Sequence, residues 1–329
     1  MRARSTGRRL TVAAVAAALV ASGAALGLSA APAATAAAAP APLATRIAGT
    51  VNRSDRAAVL AAFQARYVVP SRVSATWTGS VASCRAGSTS AAFTNATLTA
   101  INWARGQAGM PPVLGVNATY SARAQRTALL MQAAGAVSHA PPSSWACWSA
   151  AAATGASHSD LALGVAGARA VGMYLVEPGA ANVGAGHRRW LLYPRLGQIG
   201  IGNTTVANAV YVIGSTARLP AGVPAYYGWP TSGYFPRAAE PRGLWSLSSS
   251  QGYSFARAAV RVAGPGGAVV RVTRYPPQAG YGDSTLVWRL SSPPDRTIRT
   301  DQSYRVTITG IRTLSGAITS FSYQVTLVS

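Results

Sequence analysis

The sequence predicts an α+β protein in which a part that mixes helices with short strands is followed by an all-β sandwich. Between residues 93 and 214, apolar residues recur at helical spacing and alternate with short strand-like runs. After residue 238, alternating apolar and polar runs are separated by Gly, Pro and Asp turns at the spacing of a β-sandwich. A stretch rich in proline and aromatic residues separates the two patterns.

The first 36 residues are predicted to be an export signal and not part of the fold. Four arginines precede an uncharged run from residue 10 to 28, and Ala-x-Ala sites follow it, so that cleavage after Ala30 or Ala36 fits equally. A retained membrane anchor is the alternative, because the run just reaches spanning length. Arg8-Arg9 followed by Leu10 is a poor match to a twin-arginine signal. An Ala/Pro-rich linker follows at residues 37–53.

Residues 54–92 are predicted to form an N-terminal extension that is mostly irregular. A helix is expected from Arg56 to Tyr67, capped by Ser54 or Asp55 and ended by Pro70. The remainder is rich in Ser, Thr and Gly.

The only two cysteines are Cys84 and Cys147. An even number of cysteines in an exported chain predicts one disulfide, which would tie the extension to the region after His139. A redox or metal pair is the alternative, but it lacks the CxxC spacing.

Residues 93–215 are predicted to form a domain of helices and short strands. Pattern alone predicts only mixed α and β structure here. The predicted helices are residues 97–109, 118–135, 167–177 and 186–192, and the predicted strands are residues 199–202 and 209–213.

The most informative stretch is residues 174–194, YLVEPGAANVGAGHRRWLLYP. An amphipathic run ends at Glu177-Pro178-Gly179, because proline and glycine stop a helix. Gly184 and Gly186 then leave the backbone unencumbered just before His187. The spacing predicts that His187 lies at the start of a second short helix and faces Glu177.

This stretch resembles the CAP superfamily (cysteine-rich secretory, antigen 5 and class-one pathogenesis-related proteins), particularly its bacterial branch. Three further segments agree with the resemblance in the expected order. They are residues 98–105, with residues 109–113 behind them, residues 117–131 followed by Ser138-His139, and residues 160–164. The resemblance implies a three-layer α/β/α sandwich with an antiparallel sheet.

The resemblance also implies a central cavity with two histidines and two acids. Here these would be His139, His187 and Glu177, with one acid missing. Ser159 stands where the family usually has a glutamate, and His158 takes a glycine position. In the same alignment Asp160 replaces an asparagine. The candidate cavity residues are therefore His139, His158, Ser159, Glu177 and His187.

The histidines allow two kinds of chemistry. His139 and His187 could ligate zinc or a similar divalent ion, with an oxygen from Glu177. Histidine–carboxylate hydrogen bonding without a metal fits as well, so no cofactor is required. A third reading makes His158 a ligand in place of the missing acid.

Catalysis is not the favoured interpretation. The sequence has neither a G-x-S-x-G elbow nor an HExxH motif. Ser159 lies between His158 and Asp160, but residues adjacent in sequence seldom converge as a triad. Metal-assisted hydrolysis at the histidines is the enzymatic alternative.

Residues 216–237 are predicted to be a domain seam that interrupts secondary structure. Its aromatic residues are expected to pack between domains, and a surface for sugar rings is the alternative. They are Tyr226, Tyr227, Trp229, Tyr234 and Phe235.

Residues 238–329 are predicted to form an immunoglobulin-like β-sandwich. Its strands are expected at residues 259–262, 269–273, 285–290, 304–309 and 321–327. Arginines at alternate strand positions should give it a basic face, solvated or anion-binding; they are Arg261, Arg271, Arg289 and Arg305.

The formal net charge is +22, and all 29 basic residues are arginine. Such a surface is attracted to anionic cell-wall polymers or lipid headgroups. The arginines are scattered, so nucleic acid is not an expected partner. We therefore expect a secreted, non-catalytic CAP-domain protein at the cell envelope that binds a small ligand or metal. The alternatives are a metal-dependent hydrolase of peptide or wall polymer, and a carrier of a small apolar ligand such as a lipid or sterol.

Overall fold

A computed structural model describes residues 49–113 and 115–329 of the chain. The predicted export signal and most of the predicted linker lie outside these residues. Among the helices that are described, none has both the length and the apolar character needed to cross a membrane. The described residues belong to one compact unit.

The N-terminal extension begins with the predicted helix. Helix α1 (Arg56–Phe63) starts after Asp55, whose carboxylate accepts the N–H of Ala58 at 3.0 Å. The chain continues in a π-helical turn, Gln64–Val68, and then in a 3₁₀ turn, Pro70–Arg72. Residues 73–90 hold only isolated β-bridges. Asp55 is therefore the cap, and the irregular stretch is shorter than predicted.

The α/β part of the molecule (residues 91–215) consists of five helices and a three-stranded antiparallel sheet. The helices are α2 (Ala91–Ala108), α3 (Ala118–Ala134), α4 (Ala150–Ser157), α5 (Ala168–Val176) and α6 (Gly186–Leu191). The strands are β1 (Ser159–Leu163), β2 (Gly200–Asn203) and β3 (Ala207–Tyr211), in the order β1-β3-β2.

The sheet lies between two helical layers. Leu161 packs into a cluster with α3 and α4, whereas Ala162, its neighbour in β1, packs into the cluster that holds α2 and α5. Helix α3 lies directly on β2 because Gly200 and Gly202 have no side chains; a Cβ at either position would overlap the helix backbone. This is the three-layer arrangement expected from the sequence.

Helix α2, helix α4 and strand β1 differ from the prediction. Helix α2 begins at Ala91 and not at Thr97, because Ser90 caps it by accepting the Phe93 N–H at 3.2 Å. Helix α4 and strand β1 were not predicted. Helix α4 is an alanine-rich segment without an apolar period, and its start is marked only by the cap residue Ser149.

The β-rich part (residues 226–329) contains two sheets. One has the order β4-β6-β10-β9 and the other β5-β12-β11-β7-β8. The strands are β4 (Tyr226–Trp229), β5 (Gly233–Pro236), β6 (Leu244–Ser249), β7 (Ala259–Ala263), β8 (Val269–Val270), β9 (Val272–Tyr275), β10 (Ser284–Leu290), β11 (Gln302–Arg312) and β12 (Ile318–Val328). The sheets are in contact, with the rings of Trp245 and Tyr304 5.5 Å apart.

The predicted interruption at residues 216–237 is wrong for two short segments. Tyr226–Trp229 and Gly233–Pro236 are strands of the two sheets, and the prolines lie at their ends. The aromatic residues pack as expected: Tyr227, Trp229 and Phe235 are buried. Trp229 contacts Trp103 of α2, with ring centroids 5.9 Å apart. One apolar core therefore runs through both parts.

Two further predictions concern the surface and the cysteines. Arg261, Arg271 and Arg305 are exposed, as the strand pattern predicts. Arg289 is half-buried and donates to the Tyr275 hydroxyl at 3.3 Å. The disulfide between Cys84 and Cys147 is present and ties the extension to the segment before α4.

Candidate functional site

The candidate site is built on the turn between α5 and α6. Glu177 adopts a left-handed backbone conformation (φ 56°) directly after α5, and Ala185 does so directly before α6. These two bends reverse the chain and bring the Glu177 carboxylate beneath His187. Its Oε2 accepts the Nδ1–H of His187 at 2.7 Å, and its Oε1 accepts the Arg188 N–H at 2.8 Å.

The environment of His187 favours the charged imidazolium. Burial alone lowers the pKa of His187, but the hydrogen bond and charge of Glu177, with a further contribution from Asp160, raise this pKa to about 9. Nδ1 donates to Glu177, so Nε2–H is the donor left for a ligand. The Tyr174 ring stacks on the imidazole, with centroids 5.3 Å apart, and holds its orientation.

Asp160 is the second acid of the site, and the sequence analysis missed it. It shares a face of β1 with Ala162, on the α5 side of the sheet, where its charge interacts with His187 and Glu177. Its side chain is buried (2% exposed), and burial raises its pKa well above the usual range. Oδ2 has no hydrogen-bond partner among the described residues. Burial therefore favours the neutral form of this carboxyl, and its Oδ2 is a buried polar atom that no described residue satisfies.

His139 approaches from the segment between α3 and α4. Its Nδ1 lies 2.9 Å from the Ala156 carbonyl, which can only accept, so Nδ1 carries the proton and Nε2 is an acceptor when the ring is neutral. The ring is therefore oriented by the C-terminal turn of α4, an element that the sequence analysis did not predict.

These residues line one cavity of about 280 Å³. The wall from the α/β part includes His139, Ser159, Asp160, His187, Trp190 and Ile213. The rest comes from the loop between β9 and β10, through Gln278, Gly280 and Tyr281. The cavity therefore joins both imidazoles and the buried acid, with Glu177 behind His187.

The comparison with protein families matches the cysteine-rich secretory protein family, CAP, over residues 98–215. Residues 98–215 form a CAP domain. No curated protein matches the chain. Among solved structures, CopC from Methylosinus trichosporium OB3b is similar to it at 17% identity and a TM-score of 0.23, over 31% of this chain and 88% of that chain.

Of the other two candidate residues of the CAP domain, Ser159 borders the cavity and His158 does not. His158 is not part of the cavity wall; its ring stacks on Tyr211 at 5.3 Å and its Nδ1 lies 2.9 Å from the Thr154 carbonyl. Ser159 and Asp160 are neighbours in β1, so their side chains project to opposite faces of the sheet. This alternation rules out the triad arrangement of His158, Ser159 and Asp160.

The side chains around the cavity decide whether a metal ion would fit there. In the part of the chain that the structure describes, no group of three or more His, Cys, Asp or Glu side chains could hold one. Glu177 directs its oxygens at His187 and the Arg188 N–H, which leaves His139 and His187 as the nitrogen donors of this cavity.

Proposed function

We propose that this chain is an exported, non-catalytic binding protein whose CAP cavity holds a small polar ligand rich in oxygen acceptors. The observation that carries the proposal is Asp160, a buried carboxyl whose Oδ2 has no partner among the described residues and which borders the cavity beside the His187–Glu177 pair. Such a group costs stability unless a ligand satisfies it.

The donors of the cavity define the ligand chemistry. The His187 imidazolium presents Nε2–H, and burial favours the protonated form of Asp160, which presents O–H. Both groups seek acceptors, and hydroxyl, carbonyl and carboxylate oxygens provide them. Trp190 adds an aromatic surface to the same wall.

The test uses the three histidines of the chain as reporters. A long-range ¹H–¹⁵N spectrum of the imidazoles should show three spin systems, which His→Gln variants assign. N-acetylglucosamine, which offers hydroxyl and carbonyl oxygens, is titrated as the probe. We expect the signals of His139 and His187 to move together and that of His158, outside the cavity, to stay. No movement, or equal movement of all three, would refute the proposal.

The same spectrum distinguishes the proposed binding protein from the alternative, a metal-dependent hydrolase. Zinc added alone would have to shift or broaden His139 and His187 selectively. Cleavage of wall polymer or peptide would then have to require zinc and disappear in His187→Gln. Saturable binding of the sugar without turnover supports the non-catalytic function.

The second half of the proposal is retention at an anionic surface of the envelope. The net charge of the chain, which is +22 and falls to +18 without the four arginines of the predicted signal, supports it, as do the exposed arginines of the β-rich part and the disulfide. We expect the protein to sediment with vesicles containing anionic lipid or with purified wall at low salt, and to be released above about 0.5 M salt, where screening is strong. Equal sedimentation with neutral vesicles would contradict charge-based retention.

A second candidate function, carriage of an apolar ligand, is favoured by a larger cavity elsewhere. It measures about 680 Å³ and is lined by Trp103, Met173 and Leu175, with Arg169 and Arg242 among the residues around it. Neither arginine has a carboxylate within ion-pair distance among the described residues. Apolar walls with unneutralised cations fit an anionic lipid. Mass spectrometry of lipid extracted from the purified protein tests this, with Arg169→Gln/Arg242→Gln expected to lose the lipid and His187→Gln to keep it.

A further inference from the structure

Residues 276–282, which make up all but the last residue (Asp283) of the loop between β9 and β10, form part of the wall of the CAP cavity, although they lie far outside the CAP domain in sequence. Gln278, Gly280 and Tyr281 border the same space as Asp160 and His187. The loop is exposed and has no regular structure. The CAP domain alone therefore lacks one side of its own cavity.

A buried arginine of the CAP domain holds the loop in place. Arg189, two residues after His187, is 4% exposed. It donates to the Gln278 carbonyl at 2.9 Å and to the Asp283 carbonyl at 3.0 Å, and its guanidinium lies 5.2 Å from the centre of the Tyr281 ring. The backbone on both sides of Tyr281 is thus fixed to the helix that carries His187.

Asp283, at the β10 end of the loop, is also held through its side chain. The Asp283 carboxylate accepts the Tyr227 hydroxyl at 3.0 Å and lies 3.7 Å from a guanidinium nitrogen of Arg195. Burial raises the pKa of Asp283, and these two partners oppose that rise. The loop consequently has defined ends on both sides of Tyr281.

The approach of the loop depends on two glycines of the α5–α6 turn. A Cβ at Gly186 would lie 2.7 Å from Cε1 of Tyr281, and one at Gly184 would overlap the Gln278 side chain. The glycines that precede His187 therefore make room for the loop as well as for the turn.

We propose that loop 276–282 selects the ligand of the CAP cavity, and that the ligand carries a ring with hydroxyl and amide groups, as an amino sugar does. This inference rests on the proposed function. Tyr281 and Trp190 provide aromatic surface for a ring, and the amide of Gln278 provides a donor and an acceptor for its substituents. The Asn182 amide adds its oxygen, since its Nδ2 donates to the Pro178 carbonyl at 2.6 Å. The β-rich part thus determines specificity as well as fold.

The binding experiment uses the whole protein with Tyr281→Ala, Gln278→Ala and the control Leu314→Ala, an exposed side chain in the turn between β11 and β12. We expect N-acetylglucosamine to bind Tyr281→Ala about three- to tenfold more weakly, the effect of one aromatic contact. For Gln278→Ala the loss should be about fivefold, the effect of one hydrogen bond. Leu314→Ala should bind as the unaltered protein does. Undiminished binding by both loop variants overturns the selecting role.

A second measurement does not need a ligand. Diethyl pyrocarbonate modifies neutral imidazoles, so the reaction is followed at several pH values up to about 9, the pKa of His187, and mass spectrometry follows each of the three histidines separately. Tyr281→Ala should speed the modification of His187 severalfold and leave the exposed His139 unchanged. An unchanged rate of His187 modification in Tyr281→Ala would show that the loop is not a wall of the cavity, whether or not the sugar binds. If the unaltered protein ignores the sugar while His187 becomes more accessible, the sugar assignment fails and the wall stands.

Discussion

At the scale of single residues, the site is an electrostatic arrangement of three side chains. The sequence predicted the contact between His187 and Glu177, because the Glu-Pro-Gly stop and the Gly-rich turn force the chain back on itself. It did not predict Asp160 as the second acid. The alignment placed Ser159 at the acid position, and only the pairing of β1 shows which of the two neighbours faces His187.

The first prediction concerns Asp160. Its pKa is raised in the folded protein, so the unfolded chain ionises first, and the native state loses stability as the pH rises above about 4. Asp160→Asn keeps the shape and removes the charge. At pH 7 it should increase the free energy of unfolding by about 1 kcal/mol or more.

Urea denaturation at pH 4 and pH 7 measures this effect. The gap between the variant and the unaltered protein should close at pH 4. A variant that is less stable at both values would show that the carboxyl is satisfied in the native state.

The second prediction concerns His187. Its pKa of about 9 lies above the ordinary value of 6.5, so the stability from its pairing with Glu177 is complete below pH 6.5 and is lost as the pH rises through 9. The loss should be roughly 2–3 kcal/mol. In Glu177→Gln only Asp160 still opposes burial, so the pKa of His187 should fall below 9 and the loss of stability at high pH should shrink.

NMR titration of His187 in both proteins gives the two midpoints, and thermal unfolding between pH 6 and pH 9.5 gives the stability. Parallel melting profiles for the two proteins would rule out the ion pair as the source of the pH dependence.

At the scale of elements, the capping and turn residues predicted most of the helix boundaries. Asn117 and Gly135 bound α3 where the sequence placed it, and α5 ends before Glu177-Pro178 as predicted. Helix α4 was not predicted, because its alanine-rich sequence has no alternation of apolar and polar residues at helical spacing. The contact between α6 and the sandwich was also unpredictable, because it depends on the buried Arg188.

The third prediction tests that contact. Arg188 is 1% exposed and donates to the Leu175 carbonyl at 2.8 Å, and to the Leu244 carbonyl and the Ser246 hydroxyl at 2.9 Å. Arg188→Ala leaves these acceptors buried without donors. It should lower the free energy of unfolding by about 3 kcal/mol or more.

The midpoint of urea denaturation measures this loss. The matched control is Arg305→Ala, an exposed strand arginine that should change stability by less than about 0.5 kcal/mol. Similar midpoints for the two variants would mean that Arg188 does not join α6 to β6.

At the scale of the whole molecule, the residue patterns predicted an α/β part followed by a β-rich part. They did not predict that the two parts share one apolar core. Proline and glycine around residue 230 suggested a seam, although prolines at strand ends give the same pattern. Residues 226–229 and 233–236 of this stretch are instead strands of the sandwich, and Trp229 is buried against Trp103. Sequence periodicity identifies buried faces but does not identify which faces meet.

The fourth prediction follows from the shared core. Calorimetry of the mature chain should show one cooperative transition, with equal calorimetric and van't Hoff enthalpies. A chain truncated after residue 215 should expose the Trp103 surface, bind a hydrophobic dye and lack a sharp transition. Two separate transitions in the intact chain, or a sharply melting truncated chain, would show that the parts are independent.

The aromatic cluster at this junction has an optical consequence. Trp103 lies edge-on to Trp229 with ring centroids 5.9 Å apart, and Tyr67 lies 5.0 Å from Trp103. Indoles at this separation couple their electronic transitions, so the junction should contribute an exciton signal to the circular dichroism spectrum. Loss of that signal would report separation of the two parts before either loses its secondary structure, without any label attached to the protein.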